Sequence, residues 1–123
     1  MKSIKIAIEG FELTAHLNDS DTAEKIYNAT PFESMVNTWG SEIYFSIPVE
    51  SPSAPNARAD LEIGEIAFWP PGTAFCIFFG PTPLSQNERP RAASPVNVIG
   101  KIEGDPSVLR KVKGGATIQI IKA

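Results

Sequence analysis

Short runs in which apolar and polar residues alternate recur along this chain, and they constrain its fold more than any other feature. Every second residue is apolar across residues 4–8, 11–17 and 43–47. A period of two is typical of a β-strand with one buried face. Residues 75–79 are instead almost continuously apolar, which favours a strand in a closed sheet whose outer face is also partly covered. Glycines and prolines separate the runs, and about eight short strands are predicted.

Two short helices accompany these strands. Asp21 and Glu24 predict a capping box at the start of the first helix, and Pro31 ends it. Asp105 followed by Pro106 predicts the start of the second helix, which ends at Gly114. Two helices are too few to cover both faces of a parallel sheet. We therefore predict a mainly β fold, a closed eight-stranded barrel with two short helices, formed by a single domain over residues 1–123.

The alternation also assigns the interior of this predicted fold. Residues 48–60 and 81–95 are rich in proline and are predicted to be surface loops. The predicted core residues are Ile4, Ile6, Leu13, Leu17, Ile26, Ile43, Phe45, Ile66, Phe68, Phe75, Ile77 and Ile99.

Charge and cysteine content argue against several classes of function. Eleven basic and 14 acidic residues give a net charge of −3, whereas nucleic-acid binding requires clustered Lys and Arg. One Cys and one His cannot form an internal disulfide or a structural zinc site. No apolar run approaches the ~18–20 residues of a membrane span, and the N-terminus alternates at once, unlike a signal peptide. We expect a cytoplasmic protein with no metal, no cofactor, and neither nucleic acid nor membrane as partner.

Residues 72–77 and 98–104 resemble two consecutive segments of the cyclophilins. Cyclophilins carry a G-S-Q-F-F-I strand and then a V-x-F-G-K-V strand, an acidic turn and a closing helix, and this chain has the same order of elements. It is also similar to small cyclophilin-like proteins of bacteria and archaea with no assigned activity. Their recognisable segments correspond to residues 31–34, 37–40, 42–45, 69–72 and 96–101. The resemblance implies an eight-stranded barrel closed at its ends by two helices.

The resemblance makes peptidyl-prolyl isomerisation one alternative function, but four positions depart from the cyclophilin pattern. The strand that carries the Arg of cyclophilins corresponds to residues 33–38, which contain neither Arg nor His. Cys76 stands where cyclophilins have an aromatic floor, Trp69 where they have a small Ala, and Ser46 near their Gln. Since that Arg hydrogen-bonds the twisted amide, we predict that the fold persists without this activity.

These departures predict an altered groove that binds a small molecule or a peptide segment. The candidate ligand-binding residues are Asn37, Trp39, Tyr44, Trp69, Phe78 and Arg89. Aromatic surfaces with few ionisable groups favour a flat, neutral or weakly anionic ligand, with Arg89 or Arg91 available for a carboxylate. In the competing interpretation, Trp69 simply fills a groove that has lost its use.

A third interpretation is an interaction domain that acts on an unidentified partner protein through its two Pro-rich loops. It rests on Leu84, Arg89 and Arg91 in the second loop. Two further residues are less suited to chemistry. His16 lies among polar positions and is predicted to be a surface residue, and Cys76 lies in an apolar run that predicts a buried, unreactive thiol.

Overall fold

The computed structural model describes residues 2–123, in which strands predominate. The strands are β1 (Ser3–Ile8), β2 (Phe11–Leu17), β3 (Phe32–Met35), β4 (Asn37–Trp39), β5 (Glu42–Ser46), β6 (Arg58–Asp60), β7 (Glu65–Trp69), β8 (Ala74–Phe78), β9 (Arg91–Ile102) and β10 (Thr117–Lys122). The helix α1 spans Asp21–Ala29, a 3₁₀ helix spans Pro106–Lys111, and a 3₁₀ turn at Pro70–Gly72 joins β7 to β8. A mainly β protein with two short helices agrees with the prediction.

The prediction of a closed eight-stranded barrel is wrong. The sheet has ten strands in the order β3-β10-β1-β2-β9-β7-β8-β5-β4, with β6 beside β9. Its end strands β3 and β4 are neighbours along the chain but pair with β10 and β5, respectively. The backbone of Val36, between them, bonds to Gly115 and Ala116. One run of chain is therefore divided into two strands with different partners, and the sheet path does not close.

Two stretches of strand lie in segments that their prolines had marked as loops. β6 falls at the end of the first predicted loop, and β9 begins at Arg91 inside the second. These strands pair with each other, Arg58 opposite Val96 and Asp60 opposite Arg91, with a register shift between the two pairs. Pro95 does not prevent this pairing, because an irregular ladder at a sheet edge tolerates a missing N–H donor.

The N-cap of the helix α1 lies one residue before the predicted cap. The hydroxyl of Ser20 accepts a hydrogen bond from the backbone N–H of Ala23 at 3.2 Å, so Ser20 is the N-cap and not Asp21. Ala23 and Ile26 face the interior, and the helix ends before Thr30 and Pro31 as predicted. No helix within residues 2–123 has the length and apolarity needed to cross a membrane.

One face of the curved sheet encloses the larger hydrophobic cluster, which we call the inner core. Eleven of the twelve predicted core residues are buried, and Leu13 is only partly buried. The rings of Phe45 and Phe75 stack at its centre, with centroids 5.2 Å apart. At Gly100 a Cβ atom would collide with the carbonyl of His16, so the close approach of β2 and β9 requires glycine.

A second cluster, the outer cluster, lies on the opposite face of β7 and β8. Its buried members are Leu61, Ala67, Ala74, Cys76, Phe78, Ala92 and Val96. β6 and the first half of β9 cover this face, which explains why β7 and β8 are buried on both sides. The prediction that the outer face of residues 75–79 is covered agrees with this arrangement.

Candidate functional site

The outer cluster contains a cavity of about 180 Å³, which we call the outer cavity. It opens between β4 and β5 on one side and the first half of β9 on the other. Its lining residues are Trp39, Glu42, Tyr44, Trp69, Cys76, Ala92, Ala93 and Val96. Three of these eight side chains are large aromatics, and the lining is otherwise small or aliphatic except for one carboxyl group and one thiol.

The register of the strands explains why these side chains meet. Tyr44 on β5 lies opposite Cys76 on β8, and Cys76 lies opposite Ala67 on β7. Trp39 on β4 lies opposite Glu42 on β5. Because alternate residues of a strand share a face, one side of the sheet presents large aromatics at its edges and small side chains in the middle, which leaves the space of the cavity.

Trp69 forms a fixed wall of the outer cavity. Its indole Nε1 donates a hydrogen bond to the hydroxyl of Ser94 at 2.7 Å. Its six-membered ring lies so close over Gly72 that a Cβ there would be 2.8 Å from Cζ3. The indole is held at both ends, and the cavity remains beside it. Trp69 therefore lines the cavity as one wall, and the choice between a binding groove and a groove that Trp69 fills stays a prediction.

Glu42 is the residue of this site that the sequence analysis did not identify. An acidic residue beside the alternating Ile43 and Phe45 is ordinarily solvated, yet Glu42 is only 6% exposed. Burial raises the pKa of Glu42 from 4.5 to about 7, and a hydrogen bond with Cys76 offsets part of that rise. The continuous apolar run at residues 75–79 was the available signal, since a covered outer face on β8 also covers its neighbour β5.

The thiol of Cys76 is buried at the floor of the cavity, 2% exposed. Burial raises the pKa of Cys76 well above its usual range, and the nearby carboxyl group of Glu42 raises it further. The thiol therefore remains protonated at neutral pH and is a poor nucleophile, in line with the prediction of an unreactive group. His16 lies elsewhere, between the Ser3 hydroxyl at 2.9 Å and Glu103 at 3.2 Å.

Of the six predicted ligand-binding residues, three lie together at the outer cavity: Trp39, Tyr44 and Trp69. Phe78 is fully buried beneath this site, opposite Glu42 in the β5–β8 ladder, and is not part of the lining. The participation of these residues in binding stays a prediction.

The remaining predicted residues do not line the cavity. The side-chain amide of Asn37, an exposed residue of β4, donates to the carbonyl of Tyr44 at 3.4 Å. The guanidinium of Arg89 lies 3.4 Å from Glu62, and that of Arg91 lies 3.0 Å from Asp60. These arginines are engaged with surface carboxylates, so the basic group expected for an anionic ligand is not among the lining residues.

Comparison with known proteins gives a consistent result. The family model described as Cyclophilin-like matches residues 2–121. The solution structure of a hypothetical protein from Archaeoglobus fulgidus is similar to this chain, with a TM-score of 0.85 and 36% sequence identity. That similarity covers 99% of this chain and 95% of the archaeal one. A search of the curated proteins found no match.

Proposed function

The chain belongs to the cyclophilin-like family, and on that premise we propose that it binds a small organic molecule, or the end of a peptide, in the outer cavity. The observation that carries this proposal is the convergence of Trp39, Tyr44 and Trp69 around an apolar space. Binding sites for small molecules are typically concave, mostly apolar and lined by aromatics, with few polar groups to fix orientation.

The volume of the cavity limits the size of the bound group. A dry engineered cavity of about 150 Å³ accepts benzene, and the outer cavity is of similar size, about 180 Å³. One ring or one compact branched alkyl group therefore fits inside, and a larger ligand would extend outward past Ala93, which is exposed at the cavity. This size suits a small metabolite or a single side chain better than a folded partner.

Prolyl isomerisation is not part of the proposal. The reaction requires a donor aimed at the twisted amide, and removing one well-placed electrostatic donor typically costs ~10²–10³ in rate. The lining of the outer cavity supplies a carboxyl group and a thiol, with no guanidinium among its eight residues. We expect exchange measurements on an X-Pro peptide to give rates within about tenfold of the uncatalysed reaction. A larger acceleration would support the isomerase alternative instead.

The two Pro-rich loops are anchored to the sheet, which weighs against the interaction-domain alternative. The side chain of Asn97 accepts a hydrogen bond from the backbone N–H of Ala54 at 2.8 Å and donates one to Pro52 at 2.9 Å. In the second loop the hydroxyl of Thr82 donates to the carbonyl of Arg91 at 2.5 Å. Leu84 is 48% exposed, and shortening each loop before a pull-down tests whether it captures a partner.

Tryptophan fluorescence with a library of small metabolites tests the binding proposal, with thermal shift as a second measurement. Ala93→Phe places a ring at the exposed edge of the cavity, so we expect it to abolish every genuine hit. Arg89→Ala is the matched control and should leave affinity unchanged, because Arg89 lies outside the lining. The proposal is wrong if no compound shifts the wild-type protein, or if the hits persist in Ala93→Phe.

A further inference from the structure

Resting on that proposed function, we propose that the outer cavity recognises an organic ammonium head group. In this arrangement the carboxylate of Glu42 faces the positive charge, while Trp39, Tyr44 and Trp69 surround the alkyl groups attached to the nitrogen. The inference combines the position of one buried acid with the aromatic character of the same cavity.

Two buried glutamates of this protein have contrasting surroundings. Glu65, 8% exposed, receives two hydrogen bonds from the guanidinium of Arg58, at 3.0 and 2.7 Å. Glu42 is buried to the same degree, but it takes part in none of the ion pairs found within residues 2–123. A buried carboxylate without a cation is costly. A cationic ligand in the cavity gives Glu42 a positively charged partner, as Arg58 does for Glu65.

The aromatic residues provide the second half of the recognition. Ammonium groups are attracted to the faces of aromatic rings, most strongly to Trp, and sets of such rings recognise quaternary ammonium ligands. Since the Nε1–H of Trp69 is already bonded to Ser94, this residue offers the ligand its ring rather than a donor. Trp39 stands opposite Glu42 in the β4–β5 ladder, which places an indole next to the carboxyl group.

Other ligand charges fit this cavity less well. A divalent metal ion needs several oxygen or nitrogen ligands, and no group of three or more His, Cys, Asp or Glu within residues 2–123 could hold one. An anion would approach Glu42 without meeting Arg89 or Arg91, both of which pair with surface carboxylates. A neutral ligand would favour the protonated form of Glu42 and would make no use of its negative charge.

This arrangement makes binding depend on pH. The ligand requires the ionised form of Glu42, whose pKa burial raises to about 7. The other titratable groups facing it are Tyr44 on the same strand and Cys76 on β8, while the lining residues from β4, β7 and β9 carry none. For a quaternary ammonium ligand, which keeps its charge, affinity should be constant well above pH 7 and fall about tenfold per pH unit below it.

The test compares choline with its uncharged carbon analogue, 3,3-dimethylbutan-1-ol, by isothermal titration calorimetry at pH 8.5 and constant ionic strength. The wild-type protein should bind choline at least about tenfold more tightly than the analogue. In Glu42→Gln, which keeps the shape of the side chain, that preference should disappear while the analogue binds as before. The amide of Nε-trimethyllysine carries the same head group on a lysine side chain. Its affinity relative to that of choline distinguishes a peptide from a free organic cation as the source of the head group.

The outcomes distinguish this inference from the proposed function. Equal binding of choline and the analogue by the wild-type protein would overturn the ammonium inference and leave cavity binding intact. If none of these probes binds while the metabolite library gives hits blocked by Ala93→Phe, the inference alone fails. Should Glu42→Gln not fold, the pH titration of choline binding to the wild-type protein decides, because an affinity independent of pH between 5 and 8.5 contradicts a role for Glu42.

Discussion

The inner core and the outer cluster lie on opposite faces of β7 and β8, and they are built from different side chains. Phe68 and Phe75 point inward and join a continuous aliphatic and aromatic interior. Ala67, Ala74 and Cys76 point outward, where small groups are flanked by Tyr44 and Trp69. Close packing of large side chains produces rigidity, whereas small residues between large ones leave room for another molecule. The difference assigns stability to the inner core, and it leaves on the other face the space in which we propose binding.

The largest expected effect comes from two adjacent residues of β8 that face opposite sides. Phe75→Ala removes a ring that stacks on Phe45 in the inner core and should lower the free energy of unfolding by about 3–5 kcal/mol. Cys76→Ala changes only a small side chain beside the outer cavity and should cost less than about 1.5 kcal/mol. Urea denaturation measures both variants, and equal losses would contradict the division between the two faces.

The second prediction concerns pH and the outer cluster alone. The pKa of Glu42 is about 7 in the folded protein against 4.5 for an ordinary glutamate, so the folded state retains a proton that the unfolded chain releases between these values. The stabilisation is complete below pH 4.5 and is lost as pH rises to about 7, a change of up to about 3 kcal/mol at ~1.36 kcal/mol per pH unit.

Glu42→Gln is the matched control for this prediction. Its free energy of unfolding should lack the decline between pH 4.5 and 7, and the difference between the two proteins isolates the contribution of Glu42. If both proteins show the same pH dependence in urea denaturation, the carboxyl group is not held in an environment that disfavours its charge.

The smallest effect is expected from enlarging one alanine in the inner core and one alanine in the outer cluster. Ala15 is fully buried in the inner core, and Ala15→Leu should overpack it at a cost of about 1–3 kcal/mol. Ala92 is buried too but lines the outer cavity, so the added methyl groups of Ala92→Leu have space and should change stability by less than about 1 kcal/mol. A loss as large in Ala92→Leu as in Ala15→Leu would show that the outer cluster is packed as tightly as the inner core.

The sequence predicted the inner core well because its signal is local. Alternation alone places Ile43 and Phe45 on one face, and the buried positions agree with it. Leu13 differs from the other predicted core residues because alternation indicates on which face of the strand a residue lies. It does not indicate how far the neighbouring strands cover that face. The strand β6, the first part of β9 and the open sheet path were missed because they depend on pairing between distant segments, such as Arg58 with Val96.

The candidate site was predicted only in part, for the same reason. Trp39, Tyr44 and Trp69 were selected through the resemblance to cyclophilins, which places their strands side by side. Glu42 was missed because an acidic residue in an alternating strand is ordinarily solvated, and its burial follows from the cover that β9 provides. Arg89 and Arg91 were selected for their charge, whereas their partners Glu62 and Asp60 become neighbours only in the folded chain.

The two-sided burial of β7 and β8 also bears on how such a protein diverges during evolution. Because neighbouring residues of one strand project to opposite faces, a mutation at position 69 or 76 alters the cavity without touching Phe68 or Phe75, which hold the architecture together. Lineages can therefore exchange one binding chemistry for another while inheriting the same scaffold. An apolar cavity lined by Trp39, Tyr44 and Trp69 within a recognisable cyclophilin-like fold is the outcome that this separation permits.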